Sequence, residues 1–129
     1  MPATENKHWA DRGVQIDKVT AVMDCGIYVN PDIVRAQIEG SIVMGLGAAT
    51  IHEIHFADGK VQETNFHNYA LPRLADVPDI DIHIMENDEK PGGVGEPALP
   101  ALAPALCNAI YDLTGVRLRK LPIDLETIA

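Results

Sequence analysis

Apolar and polar positions alternate partially over residues 14–23, VQIDKVTAVM, which are rich in β-branched side chains. This pattern predicts a first strand. Asn30 and Pro31 then mark a helix start, because Asn is a favoured N-cap and Pro suits the first helical position. Apolar residues recur at near-helical spacing beyond them and predict a helix over 31–52.

The next two segments predict β-structure. Short apolar runs at 53–56 and 61–64 flank Asp58-Gly59, a dipeptide typical of tight turns, and predict a β-hairpin. After an irregular link, the segment IDIHIM at 80–85 alternates cleanly and predicts a further strand.

Prolines govern the last predicted helix. Pro97, Pro100 and Pro104 precede an apolar run, and Pro is tolerated only in the first helical turn. The regular helix is therefore predicted over 103–114, with Gly115 as its C-cap. The closing RLRKLPI is predicted to be a short last strand.

The order of these elements, β-α-β-β-β-α, predicts an α+β fold in which two main helices pack on a mostly antiparallel sheet. Residues 1–13 are polar and irregular and are predicted to form a flexible N-terminal segment. Residues 14–129 are then predicted to form a single domain, which their length allows.

Three glycines, Gly40, Gly45 and Gly47, lie inside the first predicted helix. Each costs on the order of 1 kcal/mol relative to Ala in a helix interior. Three such costs in one helix indicate that something packs very close to it. Two explanations remain open, a neighbouring structural element and a cofactor lying alongside.

The net charge of −9 argues against nucleic acid and anionic membranes as partners, since both require a basic surface. No apolar run reaches the roughly 18 residues of a membrane span, and the N-terminus has no apolar secretory core. A cytoplasmic location is expected on this basis, or a periplasmic one if a partner carries an export signal.

Neither the cysteines nor the histidines predict a metal site on this chain. Cys25 and Cys107 form no CxxC pair and are expected to be small buried hydrophobes. His52 and His55 are three positions apart, whereas the zinc-protease motif needs a spacing of four on one helix face.

A carboxylate follows the glycine-rich run GGVG. Gly92, Gly93 and Gly95 lack Cβ atoms and let the backbone approach another body closely. Glu96, at the lip of this run, is a candidate general base. The alternative is an ordinary turn carrying a solvated Glu near a helix N-terminus, where acidic residues are favoured.

Three segments together resemble one protein family. They are DCGIYVNPDIVRAQIEGSIVMGLGAA, NFHNYALPRLADVP and GGVGEP with the following PALPALAPALCNAIYDLTGVRLRKLP. The resemblance is to the large, molybdopterin-binding subunit of the xanthine dehydrogenase and aldehyde oxidase family, with the isoquinoline 1-oxidoreductase branch in particular. It covers about residues 19–123 but only the C-terminal part of that subunit.

The resemblance implies a role for each candidate site residue. Glu96 falls on the family's general base, and Gln37 on a glutamine that contacts the pterin. Gly92, Gly93 and Gly95 would let their loop approach the cofactor. No side chain would bind the molybdenum directly, so no metal ligand is expected. Gln37 could instead be an ordinary helix-surface residue.

Two further features bear on this resemblance. Met44 stands where a second polar contact is sometimes found in the family, a departure that favours the isoquinoline branch. The other cofactor loops, the substrate pocket and all iron–sulfur ligands are missing. The implied partners are therefore the rest of the large subunit, a [2Fe–2S] subunit and a small-molecule substrate.

Two functions follow as hypotheses. The first is the C-terminal cofactor-binding portion of a molybdenum hydroxylase acting on N-heteroaromatics or aldehydes, completed by other chains. The second is a non-catalytic binding or assembly domain. The isolated chain is expected to hold no molybdenum–pterin cofactor, since its motifs supply too few contacts. A homo-oligomer is an open alternative to a partner.

Overall fold

The computed structural model describes residues 15–124 and 128, so the predicted N-terminal segment 1–13 lies outside the described residues. Along the chain the elements are β1 (Lys18–Met23), α1 (Pro31–Thr50), β2 (Phe56–Ala57), β3 (Lys60–Val61), a 3-10 turn (Leu74–Asp76), β4 (Asp79–Ile84) and α2 (Ala98–Thr114). The predicted α+β class, with two helices on a small sheet, is confirmed.

The predicted pairing of the sheet is wrong in its main part. β1 and β4 form a two-stranded parallel sheet, whereas the short β2–β3 hairpin alone is antiparallel. β1 and β4 are joined by a long connection that contains α1, and such a crossover returns the chain in the same direction. Antiparallel pairing is therefore confined to the tight turn, where Asp58 and Gly59 both have positive φ.

The two helices cover one face of the β1–β4 sheet. Val19, Ala21 and Met23 of β1 point toward them, and so do Ile80, Ile82 and Ile84 of β4. The buried core consists of Met23, Cys25, Val34, Ile38, Ile42, Leu46, Ile82 and Leu102. The opposite face is mainly polar, although Val22 is exposed on it, and it carries an ion pair of 2.8 Å between Lys18 Nζ and Asp81 Oδ2.

Helix α1 begins as predicted. The Asn30 side chain accepts hydrogen bonds from the backbone N–H groups of Asp32 (2.9 Å) and Ile33 (3.3 Å), which satisfies two of the helix's unpaired donors. The helix ends at Thr50, two residues before the predicted end.

Helix α2 begins at Ala98, five residues before the predicted start. Pro100 is its third residue, and the first N–H groups of a helix have no intrahelical acceptor, so this proline costs no hydrogen bond. Pro104 is the proline in the interior of the helix. Gly115 ends it with a left-handed φ of 75°, which confirms the predicted C-cap.

The segment after α2 is irregular up to residue 124, so the predicted last strand does not form there. It is attached by one backbone hydrogen bond of 2.7 Å from Ile123 N–H to the Ala49 carbonyl. Ile123 packs with Ile110 in a second, smaller cluster. Cys25 is buried and Cys107 half-buried, and both are free thiols.

No helix within the described residues is long and apolar enough to cross a membrane.

Candidate functional site

The glycine-rich loop leaves the end of β4 and is attached to the end of β1. The Ile27 N–H donates to the Glu89 carbonyl (3.0 Å), and the Gly92 N–H donates to the Cys25 carbonyl (2.8 Å). Gly26 lies between these bonds with a φ of 64°, and a Cβ there would collide with the Lys90 carbonyl oxygen. Glycine is therefore required at position 26 for the close approach of the two loops.

The far end of the loop is attached to α1. Ser41, a buried residue of this helix, donates its hydroxyl to the Gly95 carbonyl at 2.8 Å. The Glu96 carbonyl then accepts from the Leu99 N–H at 3.0 Å, in the first turn of α2. Glu96 is thus placed between a bond to α1 and the start of α2.

A groove of about 760 Å³ opens between α1 and this loop. It is lined by residues of α1, of the loop and of the start of α2, namely Ala36, Gln37, Gly40, Ser41, Met44, Gly95, Glu96, Pro97, Leu99 and Pro100. Its volume lies within the range of small-molecule sites. Gln37, Gly95 and Glu96 share this groove, although the sequence separates the first from the others by almost 60 positions.

The predicted site residues divide into two groups. Gln37 and Glu96 are exposed side chains on the groove wall, and a Cβ on Gly95 would lie 3.7 Å from Gln37 Oε1. Gly92 and Gly93 lie earlier in the loop and do not line the groove. A Cβ on Gly92 would face the Cys25 carbonyl at 3.6 Å, and one on Gly93 would have no neighbour within 4 Å.

The glycines of the loop are not required by the packing of the described residues. Gly92, Gly93 and Gly95 have no left-handed φ, and an added Cβ would make ordinary contacts or none. Within the described residues, a side chain larger than glycine could therefore be accommodated at each of these three positions.

The three glycines of α1 differ in what an added Cβ would contact. A Cβ on Gly45 would lie 3.1 Å from the Leu99 carbonyl of α2, and one on Gly47 would lie 2.5 Å from the His52 ring. Packing within the chain explains both. A Cβ on Gly40, in contrast, would have no neighbour within 4 Å, and Gly40 lines the groove. Of the three glycines of α1, it is therefore the one that leaves room for a bound molecule.

Ser41 was not predicted from the sequence, although a simple spacing rule contains the information. Gly40 and Ser41 lie three and four positions after Gln37, and Met44 lies four and three positions after those two residues, which places all four on one helix face. The face that carries the predicted Gln37 thus also carries the serine that holds the Glu96 loop.

No histidine among the described residues lines this groove. His52 stacks on Tyr69 with ring centroids 5.2 Å apart, and burial lowers the pKa of His52. Its Nε2 atom is buried and has no hydrogen-bond partner among the described residues. His55 Nδ1 lies 2.7 Å from Glu63 Oε1, and this hydrogen bond raises the pKa of His55. The described residues contain no cluster of His, Cys, Asp or Glu that could hold a metal ion.

Comparison with known proteins decides the family. Residues 10–78 match the model of the molybdopterin cofactor-binding domain. The chain belongs to this family. Its relatives include the beta subunit of isoquinoline 1-oxidoreductase from Brevundimonas diminuta, which is 37% identical over 114 residues. That match covers 88% of the chain but 15% of the relative.

Other relatives have the same partial overlap. The molybdenum-binding subunit PaoC of an aldehyde oxidoreductase from Escherichia coli K12 is 32% identical over 129 residues, covering 94% of the chain and 18% of the subunit. The crystal structure of quinoline 2-oxidoreductase from Pseudomonas putida 86 superposes with a TM-score of 0.78 at 31% identity, covering 88% of the chain and 16% of that protein. The chain therefore spans less than a fifth of each of these molybdopterin-domain proteins.

The groove fits part of a molybdenum–pterin cofactor. The Gln37 amide offers a donor and an acceptor to a heterocycle edge, and Gly40 and Gly95 leave the wall free of Cβ atoms. A cofactor of this kind also carries phosphate, which Arg, Lys or backbone N–H groups usually bind. No Arg or Lys lines the groove. The residues present therefore suit the neutral ring system, and the anionic end requires residues from elsewhere.

Proposed function

We propose that this molybdopterin-binding chain is the C-terminal, cofactor-binding portion of a molybdenum hydroxylase that acts on N-heteroaromatic or aldehyde substrates. The observation that carries the proposal is the shared groove of Gln37, Gly95 and Glu96. It combines one amide, one carboxylate and a backbone without Cβ atoms around a volume of ligand size.

Glu96 serves as the general base in this proposal. Hydroxylation with water breaks one carbon–hydrogen bond, forms one carbon–oxygen bond, and releases two protons and two electrons. When bound, the molybdenum–pterin group supplies the redox centre for this oxidation. The Glu96 carboxylate oxygen accepts the proton that the attacking water must lose. Its exposed position on the groove wall leaves this oxygen free to reach such a proton.

The remaining groove residues orient and enclose the cofactor. Gln37 donates to and accepts from the polar edge of the pterin, and Gly95 lets the loop backbone come near it. Met44 adds an apolar surface to the same wall. Ser41 holds the loop that carries Glu96 at a fixed distance from α1.

The chain needs partners for this activity. The groove is open on one side, and its wall carries no cation for a phosphate group. The partners we propose are the rest of a large molybdenum subunit and a [2Fe–2S] subunit, which would accept the electrons. The isolated chain should then hold no stoichiometric molybdenum, because a tightly bound ligand needs most of its surface enclosed.

The test is reconstitution. The chain is mixed with the Brevundimonas isoquinoline 1-oxidoreductase beta subunit from which the matching region has been deleted, together with that enzyme's other subunit. We expect a complex that contains molybdenum and oxidises isoquinoline, while either large-subunit piece alone does neither. A chain that binds the truncated subunit without restoring molybdenum or turnover would support the alternative, a non-catalytic assembly domain. Stoichiometric molybdenum on the isolated chain would contradict the proposed division of the site.

A further inference from the structure

The two edges of the β1–β4 sheet differ. The Asp79 N–H donates to the Asp17 carbonyl (3.2 Å) and the Met85 N–H donates to the Met23 carbonyl (2.8 Å). Because the backbone groups of successive strand residues point to opposite sides, the odd-numbered residues of β1 face β4. The N–H and C=O groups of Lys18, Thr20 and Val22 therefore point away from β4.

Nothing within the described residues pairs with this outer edge of β1. Among residues 15–124 and 128, β1 pairs with β4 alone, and no hydrogen bond from another element reaches the main chain of Thr20 or Val22. The outer edge of β4 is different, because the Arg35 guanidinium donates to the Ile82 carbonyl at 2.6 Å. A charged side chain across a strand edge opposes further pairing there. Of the two edges, the β1 edge is therefore the one that the described residues leave open to another strand.

The helix layer extends past this open edge. Two hollows of about 290 Å³ and 220 Å³ lie along β1 and α2. They are lined by residues of β1, α1 and α2, by Ile16 just before β1 and by Pro97 just before α2, and by no residue of β4. Their floor is formed by small and apolar residues of α2, namely Ala98, Ala101, Leu102, Ala105, Leu106 and Ala109. Packed helices lie about 8–10 Å apart and strands about 4.8 Å apart. Two helices thus offer a floor for more strands than the two present.

We propose that the outer edge of β1 receives an additional β-strand, which lies on α2 and comes from the remaining polypeptide of the large subunit. The strand carries apolar side chains at alternate positions, because one of its faces contacts the alanine-rich floor. This inference rests on the proposed function. It goes further by naming the surface through which the chain joins its partner.

Two observations favour this occupant over a second copy of the chain. The related proteins are more than five times longer than the region they share with this chain, so a large polypeptide is available to supply the strand. The chain carries a net charge of −9, which opposes the close approach of two copies.

The test measures amide hydrogen exchange in the isolated chain and in its complex with the truncated Brevundimonas beta subunit. The Thr20 and Val22 amides should exchange rapidly in the isolated chain and slowly in the complex. The Ala21 amide faces β4 and should be protected in both states, which makes it an internal control.

Two variants address the same edge. Thr20→Pro removes the outward N–H without removing a bond to β4, so we expect the chain to fold and its affinity for the truncated subunit to fall roughly tenfold or more. Thr20→Ala keeps the N–H and should bind like the wild type. Ala105→Leu fills both hollows with a residue that also suits a helix, and should likewise weaken the complex.

The possible outcomes distinguish a failure of the strand addition alone from a failure of the proposed function. A molybdenum-containing, active complex with rapidly exchanging Thr20 and Val22 amides, or one that Thr20→Pro and Ala105→Leu leave intact, would overturn the strand addition alone. Protection of these amides already in the isolated chain would also overturn it. Protection that depends on protein concentration would then indicate a second copy, and protection that does not would indicate pairing within the chain. If the wild-type chain did not bind the truncated subunit at all, both proposals would fail.

Discussion

The Ser41 hydroxyl on α1 donates a hydrogen bond of 2.8 Å to the carbonyl oxygen of Gly95, the residue that precedes Glu96. This single bond connects the two walls of the groove. Because Gln37 lies one turn before Ser41 on the same helix face, the bond attaches the backbone next to the candidate base to the helix face that carries the candidate pterin contact.

Replacing Ser41 by Ala should loosen the loop at residues 92–96. The change leaves the Gly95 carbonyl without its protein donor, and we expect a loss of about 1 kcal/mol in the free energy of unfolding. Amide hydrogen exchange over residues 92–96 should become faster. Thermal unfolding and exchange measurements on the isolated chain test both effects.

Thr50→Val is the matched control for this prediction. Thr50 is another buried hydroxyl of α1, but it donates to Leu46 of its own helix at 2.6 Å. Its replacement should reduce stability without changing exchange at residues 92–96. Equal exchange in the wild type and Ser41→Ala would show that the loop holds its position without this bond.

Replacing Gly40 and Gly45 by Ala should have opposite effects on the isolated chain. At Gly40 the new methyl group meets nothing within 4 Å, so the helix should gain roughly 0.5–1 kcal/mol of stability. At Gly45 it meets the Leu99 carbonyl and the Leu102 side chain at 3.1 Å, and α2 must shift. Melting temperatures should therefore rise for Gly40→Ala and fall for Gly45→Ala.

The same two variants distinguish the effect of packing within the chain from the effect of a bound molecule. In the reconstituted complex, Gly40→Ala should lower molybdenum content despite its higher stability, because the methyl group projects into the groove. A stable Gly40→Ala complex with full molybdenum content would mean that no bound molecule approaches this part of α1.

His52 should make the chain sensitive to mild acid. Burial lowers the pKa of His52 from its ordinary value of 6.5, so the unfolded chain binds this proton more readily than the folded chain. Stability therefore falls as the pH drops below about 6.5, since protonation then favours the unfolded state. The variant His52→Phe keeps a ring against Tyr69 but has no proton to bind.

The measurement is the difference in melting temperature between wild type and His52→Phe at pH 8 and pH 5. The difference should move in favour of the variant at pH 5. The pair of His55 and Glu63 is present in both proteins and cancels from this comparison. A difference that is independent of pH would contradict the assignment of the effect to His52.

Local features of the sequence predicted the helices better than the sheet. The start of α1 depends on Asn30 and Pro31, which act on their immediate neighbours, and the structure has it at Pro31. The parallel partners β1 and β4 are more than fifty residues apart, and no local pattern specifies which strands will pair. The α1 crossover was the available clue, because parallel neighbours need such a connection.

The prediction of the groove was incomplete for a similar reason. The resemblance selected Gln37 and Glu96, and the structure has both on the groove wall. The bond from Ser41 to Gly95 joins residues 54 positions apart and depends on how α1 lies against the loop. The start of α2 at Ala98 was not predicted because Pro97 and Pro100 were expected to precede the regular helix, although Pro100 falls where no N–H is needed.

The carboxylate of Glu96 is the group on which the proposed chemistry depends. Glu96→Gln keeps the size and hydrogen-bonding reach of the side chain but cannot accept a proton. In the reconstituted complex the variant should lose about 10²- to 10⁴-fold in turnover, the usual contribution of a positioned general base. Its melting temperature and molybdenum content should remain at wild-type values, because Glu96 is an exposed residue whose side chain contributes little to the fold.

Glu39→Gln provides the control for this change. Glu39 is also an exposed glutamate, but it does not line the groove, so its replacement removes the same charge from the chain and should leave turnover unchanged. Steady-state turnover, metal content and thermal unfolding are compared for the three proteins. Wild-type turnover in Glu96→Gln would exclude Glu96 as the base. If turnover, molybdenum and stability fell together, Glu96 would instead be a residue that maintains the shape of the groove, since loss of a proton acceptor alone does not release the cofactor.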